Sequence, residues 1–123
     1  MELLNVELEG LPPTVNQMYR NASSSNVRYK TKKTREYQEY AVGVMKNFYH
    51  GTSYSGSVAL YVVYLIKDKR RWDIDNRLKA LQDCLQIAKV IDDDSQINFL
   101  QVRRKYGYSV NKTLLTLKEF TNE

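Results

Sequence analysis

The 123-residue sequence has one cysteine, Cys84, and one histidine, His50. A lone cysteine excludes an internal disulfide and any cysteine-rich zinc site. Cys84 falls inside a helical pattern, where a small buried hydrophobe is its expected role. His50 has no second imidazole to share a ligand with and stands beside Gly51 at the end of a helical stretch, so it reads as a surface residue. No apolar run approaches the roughly 20 residues that span a bilayer. The N-terminus "MELLNVELEG" carries acids where a secretory signal has positive charge and a longer apolar core, so the cytoplasm is the expected compartment. Internal repeats and linker-like low-complexity segments are absent, and the length suits one domain spanning residues 1–123.

What the chain does have is positive charge, a formal net +5. Such an excess steers a protein toward polyanions without naming one. Its distribution says more. Arg28, Lys30, Lys32, Lys33 and Arg35 form one cluster, Lys67, Lys69, Arg70 and Arg71 a second, and Arg103, Arg104 and Lys105 a third. Tyr29, Trp72, Tyr106 and Tyr108 lie beside these runs, as aromatics do where bases or sugars are packed against. Any one cluster alone describes a solvated face. Three with aromatic neighbours point to nucleic acid.

The pattern of apolar residues orders the elements. "LNVELEG" alternates as a strand does and ends at Gly10 and the Pro12-Pro13 pair. Residues 14–30 lack apolar periodicity and read as a loop. Thr31 or Thr34 caps a helix of about 15 residues, in which Tyr37, Tyr40, Ala41, Val44, Met45 and Phe48 recur at helical spacing. "SVALYVVYLIKD" is β-branched, aromatic and short of charge, as a central strand is. From Asp75 onward, Leu78, Leu81, Leu85 and Ala88 mark a helix packed on a sheet, with Asp75 as its expected N-cap. "INFLQVRRKYGY" and "KTLLTLKEF" add two strands joined around Gly107 to Lys112. The expected order is β-α-β-α-β-β, an α/β (α+β) domain with a mixed sheet and two main helices.

In "RRWDIDNRLKALQD", residues 70–83, two carboxylates follow directly behind arginines. If the chain is extended there, Asp73 and Asp75 project from one face. "IDDDSQ" adds Asp92, Asp93 and Asp94. A helix over 76–87 is roughly 18 Å long, and residues 88–94 reach at most about 23–25 Å, so the chain can return along the helix and bring Asp94 near Asp75. Two or three converging carboxylates in a basic surround make a Mg²⁺ or Mn²⁺ site with hard oxygen ligands. Such a metal polarises a phosphodiester and activates water, while the basic clusters hold the phosphate backbone. Lys79, one turn beyond Asp75, can stabilise transition-state charge or pair with Asp75. The plainer alternative makes Asp75 a helix cap, Asp73 the partner of an arginine, and the aspartate triplet a solvated turn.

The stretch "RRWDIDNRLKALQDCLQIAKVIDDDSQI", residues 70–97, resembles the signature of RusA-type Holliday junction resolvases: basic residues, Asp-x-Asp-Asn, a helix with lysine, then Asp-Asp-x-Gln. "LPPTVNQMYR", residues 11–20, resembles the family's N-terminal Pro-Pro-x-x-Asn stretch. The resemblance implies a homodimeric, Mg²⁺-dependent endonuclease of bacterial or bacteriophage origin. Such enzymes nick two opposed strands of a four-way DNA junction symmetrically and leave religatable 5′-phosphates. By motif position, Asp73, Asp75 and Asp94 match the metal-binding aspartates, with Asp93 a lesser candidate, and Lys79 matches the functional lysine. Lys69, Arg70 and Arg71, with Arg20, Arg28, Lys30, Lys32 and Lys33 of the N-terminal third, are the expected DNA contacts. No small-molecule cofactor and no membrane partner are expected. Two positions depart from the pattern. Trp72 replaces a basic residue or proline, leaving Arg70 and Arg71 to hold the phosphates beside the metal. Lys89 stands where glycine is common before the return strand. Two other readings stay open: a less selective nuclease of branched or flap DNA, and a protein that binds junctions without cutting.

Overall fold

A computed structural model describes residues 1–21 and 27–121. Its main sheet has four strands in the order β1-β6-β4-β5. β1 (Glu2–Glu9) alternates buried Leu4, Val6 and Leu8 with exposed Asn5, Glu7 and Glu9. It pairs antiparallel with β6 (Lys112–Glu119). β4 (Val58–Ile66) lies between β6, antiparallel, and β5 (Ile97–Tyr106), parallel. The two C-terminal strands are therefore consecutive in sequence but separated in space by β4.

Along β4, Leu60, Val62, Tyr64 and Ile66 are buried while Tyr61, Val63 and Leu65 are half-buried. The buried set joins Leu4, Val6, Leu8, Leu115 and Leu117 in one core with side chains of both main helices. The helices thus cover one face of the sheet, and the architecture is α+β.

The first of them, α2 (Lys32–Phe48), is capped by Thr31, whose Oγ1 accepts from Thr34 N–H at 3.2 Å. It buries Ala41, Val42 and Met45. The second, α3 (Leu78–Ile87), connects parallel β4 and β5 and buries Leu78, Leu81, Cys84 and Leu85. α3 ends in a Schellman turn: Lys89 N–H donates to Gln86 O at 3.0 Å and Val90 N–H to Leu85 O at 3.0 Å. Lys89 takes the left-handed conformation this turn needs, φ +59°. That is the position where glycine is common in the resembling family.

Three expectations are corrected. Asp75 is not the N-cap of α3; Arg77 holds that position, and Asp75 lies in the preceding turn. The segment 14–30 is more than a loop: it forms a short helix, α1 (Val15–Met18), and a two-stranded hairpin of β2 (Tyr19–Asn21) and β3 (Arg28–Lys30). A capping box between Thr14 and Gln17 starts α1, too short a signal for apolar periodicity to reveal. The remainder of that segment, 22–26, lies outside the described residues. Third, Asp73 to Arg77 is turned rather than extended, with Asn76 N–H donating to Asp73 O at 3.0 Å.

Candidate metal and nucleic-acid site

Behind β4, Asp68 accepts from Arg70 at both N–H (3.1 Å) and Nε (2.8 Å), which holds the Asp68 carboxyl below the usual range. The chain then reaches Trp72. Its ring meets buried Tyr64 edge-on, with centroids 5.3 Å apart. The Arg77 guanidinium lies 4.6 Å and that of Arg104 5.2 Å from the centre of the Trp72 ring. Arg104 Nη1 also donates to the Trp72 carbonyl. Two cation–π contacts, an aromatic edge and a backbone hydrogen bond thus fix the residue directly before Asp73.

Two cavities share Trp72 and Arg71 as a wall. One, of about 350 Å³, is lined by Gln17, Lys33, Asp68, Arg70, Arg71 and Arg77 among others, so it joins the first and second basic clusters. The other, of about 480 Å³, is lined by Arg71, Trp72, Asp73, Arg104 and Tyr106 and brings in the third. The N-terminal segment closes against the aspartate turn through Val15 N–H to Asn76 O (2.9 Å) and Arg77 Nη1 to Pro12 O (2.5 Å). The two stretches that resemble the family therefore meet in space.

The second acidic segment is organised by glutamines. Gln96 Oε1 accepts from Asp92 and Asp93 N–H, both at 2.8 Å, while its Nε2 donates to Tyr54 O (2.7 Å) and Gly56 O (2.9 Å). Gln86 Oε1 accepts from Asp94 N–H at 2.9 Å. Asp92 accepts from Ser53 Oγ. Asp93 caps the short 3₁₀ turn Asp94–Gln96, and its hydrogen bonds with Ser95 hold its carboxyl below the usual range.

Asp94 does not return to Asp75 within the chain. Trp72 packs on Tyr64 near the end of β4, whereas Asp94 leads into Ile97, the partner of Val58 at the start of β4. Val58 to Tyr64 spans roughly 20 Å at about 3.3 Å per residue. The ten-residue α3 separates the two groups by a similar length, about 15 Å. The expectation failed because the chain leaves α3 directly into β5 instead of doubling back. Among the described residues, no three His, Cys, Asp or Glu side chains gather to hold a metal ion.

Pairing sorts the aspartates all the same. Asp68 is engaged by Arg70, Asp83 by Lys79 at 3.4 Å, Asp92 by Ser53 and Asp93 by Ser95. The carboxylates of Asp73, Asp75 and Asp94 have no hydrogen bond or ion pair among the described residues, although Arg71 and Arg104 line the same cavity as Asp73. Asp73 and Asp75 are exposed and two apart. They suit Mg²⁺, which takes one or two carboxylates and fills its remaining positions with water and phosphate. Lys79 pairs with Asp83 at 3.4 Å and not with Asp75, which precedes the helix.

The other expected DNA contacts divide. Lys33 donates to Gln17 Oε1 at 3.3 Å beside the first cavity. Arg20, with Lys33, lines a third cavity of about 310 Å³. Arg28 stacks over Tyr19 at 4.7 Å, Lys30 donates to Gln38 at 3.0 Å, Lys32 pairs with Glu36 at 3.7 Å, and Lys69 is exposed. Sequence reasoning missed Gln17, Arg77 and Gln86, which only their contacts mark, and gave Gln96, the glutamine of the Asp-Asp-x-Gln stretch, no role of its own.

An unpaired carboxylate, Asp73, in a cavity walled by Arg71, Arg104 and Trp72 suits a protein that works on a nucleic-acid backbone. A sequence model of the family described as "Endodeoxyribonuclease RusA" matches residues 9–118, and the chain belongs to that family of DNA-cleaving enzymes. It is 22% identical over 120 residues to the crossover junction endodeoxyribonuclease RusA of Aquifex aeolicus (strain VF5), covering 98% of this chain and 94% of that protein. No helix among the described residues is long and apolar enough to cross a membrane.

Proposed function

We propose that this chain is a Mg²⁺-dependent, structure-selective endodeoxyribonuclease that resolves four-way DNA junctions. It acts as a homodimer, by paired symmetric nicks, in the recombination and repair of a bacterial or bacteriophage genome in the cytoplasm. Mn²⁺ can substitute for Mg²⁺. The observation that carries the reading is that Asp73, Asp75 and Asp94 alone among the described aspartates lack a protein partner, in a chain with cations to spare. Two exposed carboxylates two residues apart repel each other and repel phosphate, and a divalent cation would offset both by joining them to the backbone the arginines attract.

In this reading Asp73 and Asp75 would hold the metal, and Asp94, at the other end of α3, would join it only from the second copy of the homodimer. When bound, the metal supplies Lewis-acid polarisation of the phosphodiester and a lowered pKa for water. Arg71 and Arg104 hold the phosphates on either side of Trp72, which fixes the backbone entering Asp73. Lys79 offsets the extra negative charge of the transition state. A water oxygen bonds to phosphorus and gives up a proton. The P–O3′ bond breaks, O3′ takes a proton, and a 5′-phosphate and a 3′-hydroxyl result.

The test is cleavage of a synthetic four-way junction with and without Mg²⁺, beside Asp75→Asn. Paired nicks that require both metal and Asp75 are expected. Equal cutting of flaps and plain duplex would replace the reading with a less selective nuclease, and tight junction binding without nicks would withdraw the catalytic roles.

A further inference from the structure

We propose that the cavity of about 350 Å³ is a second phosphate site, with Arg77 and Lys33 as its cations, and that it holds the linkage next to the one cut on the same DNA strand. The proposal deepens the junction-nuclease reading and rests on it. Lys33, Arg70, Arg71 and Arg77 line the cavity with a single acid, Asp68, which Arg70 already neutralises at 2.8 Å. The surplus of positive charge meets no other anion there among the described residues. Leu11, Ile66 and the Trp72 ring add an apolar wall, beside which a charge-assisted contact is stronger than in open water.

Arg77 is the sharpest sign that an anion belongs in this space. It is half-buried, yet it forms no ion pair among the described residues, and its Nε is buried without a hydrogen-bond partner. Burial lowers its pKa, and only Tyr64 opposes the shift. Pro12 O, which accepts from Nη1, and the Trp72 ring, 4.6 Å from the guanidinium, set its direction without supplying a negative charge. A cation drawn out of water costs free energy unless a charged partner offsets it. A phosphate in the cavity that Arg77 lines is such a partner. Lys33 reaches the same space from α2, and its amine donates only to Gln17 Oε1, at 3.3 Å.

The shared wall assigns the strand. Trp72 and Arg71 line both this cavity and the one that holds Asp73. Arg77 in the first and Arg104 in the second lie 4.6 and 5.2 Å from the centre of the same indole ring. Phosphates of one strand succeed each other at about 3.4 Å of helix rise, so neighbours can fill both cavities. Arg77 and Lys33 are then positioning residues. By seating one phosphate they fix the register of the strand, and with it the linkage that meets Asp73 and Asp75.

The test is a coupling measurement on synthetic four-way junctions, with one uncharged methylphosphonate placed in turn at each linkage around the crossover. Single-turnover nicking in Mg²⁺ and affinity in EDTA are measured for wild type, Arg77→Met and Lys33→Met. In wild type, a methylphosphonate beside the nicked linkage is expected to slow nicking about 10–100-fold and to weaken binding about 10-fold. Each variant is expected to be weaker on the unmodified junction and nearly indifferent to that same methylphosphonate, because the lost cation and the lost charge belong to one contact. A purely structural role for Arg77 would leave the two losses to multiply, and that result overturns the proposal. So does a sensitive linkage on another strand. Lys33 is exposed, so its variant decides the matter if Arg77→Met does not fold. If wild type nicks but no flanking methylphosphonate slows it, the site is overturned and the nuclease reading stands. If wild type binds junctions without nicking them, that reading falls, while coupling of one crossover linkage to both cations in the affinities still supports the site.

Discussion

Lys79 Nζ lies 3.4 Å from Asp83 Oδ1, one turn further along α3, and not against Asp75, which precedes the helix. Asp83 is only 17% exposed while Lys79 is 48% exposed, so the lysine is anchored at its foot and open to a ligand. If the lysine stabilises transition-state charge, Lys79→Met lowers junction cleavage by about 10²–10³-fold, with little change in thermal stability. Asp83→Asn frees the same amine and keeps cleavage within a few-fold of wild type. Single-turnover rates on a four-way junction check both. A Lys79→Met enzyme that cuts at the wild-type rate would make the ion pair merely structural, as exposed i,i+4 pairs often are.

Asp73→Asn preserves shape and removes one anionic ligand. The expected loss in cleavage is about 10²–10⁴-fold, several kcal/mol of metal-derived stabilisation. Junction affinity without metal holds or rises slightly, because a carboxylate among phosphates repels them. Gel-shift titration in EDTA beside a cleavage time course measures the two separately.

Much of this fold is legible in the sequence, because β1, α2, β4 and α3 carry strong periodicity and bury it where that periodicity says. The hairpin and α1 were not, since Thr14, Gln17 and Thr31 act through single hydrogen bonds that leave no repeating pattern. Spacing marked Asp73, Asp75 and the Asp92–Asp94 triplet, and the resemblance to the family signature singled out Asp94; Asp73, Asp75 and Asp94 are the aspartates whose carboxylates lack partners among the described residues. What spacing allowed but did not decide was their convergence: a tether long enough to bring Asp94 back was used to reach β5 instead. Trp72, a departure from the family pattern, turns out to be held by Arg77 and Arg104. The long-range partner Arg104 is out of sight of any local motif.

Arg70 and Arg71 are neighbours with different expected weights. Arg70 is committed to Asp68 at 2.8 Å, whereas Arg71 lines both cavities with no ion pair among the described residues. Arg71→Ala should therefore weaken junction binding and reduce the slope of log affinity against log salt by about 1. Arg70→Ala should change both less. Fluorescence-anisotropy titrations at several salt concentrations decide it; equal effects would mean that Arg70 leaves Asp68 when DNA binds.

The buried thiol of Cys84 gives a pH dependence of known sign. Burial, with Asp83 nearby, pushes it up from its ordinary 9.0 to about 12. Above about pH 9 the unfolded chain ionises this thiol while the folded chain keeps it neutral. The contribution to stability is thus complete below pH 9 and is lost as pH rises toward 12, by up to about 1.4 kcal/mol per pH unit. Urea midpoints at pH 7 and pH 10 should fall further for wild type than for Cys84→Ala. Burial and the nearby Cys84 also push the Tyr37 hydroxyl up, so both proteins are compared in a Tyr37→Phe background, where the difference isolates the thiol.

Lys89 offers a gain in stability at a position remote from Asp73 and Asp75. It is the one described non-glycine residue with positive φ, +59°, and it sits at the C′ position of the Schellman turn that ends α3. There a side chain bears a penalty of roughly 1–2 kcal/mol for the left-handed conformation, which glycine avoids at the expense of greater freedom in the unfolded chain. The balance favours glycine by about 1 kcal/mol, so Lys89→Gly should raise the melting temperature by about 3–5 °C for a chain of this size. Lys89→Ala should give no such rise, because alanine keeps the Cβ that causes the strain. The turn also sets the path from α3 into the Asp92–Asp94 segment through Gln86, whose side chain accepts from Asp94 N–H. A more stable Lys89→Gly protein with unaltered junction cleavage would show that the lysine's charge contributes nothing there. Loss of cleavage alongside the higher melting temperature would instead assign Lys89 a contact with the DNA.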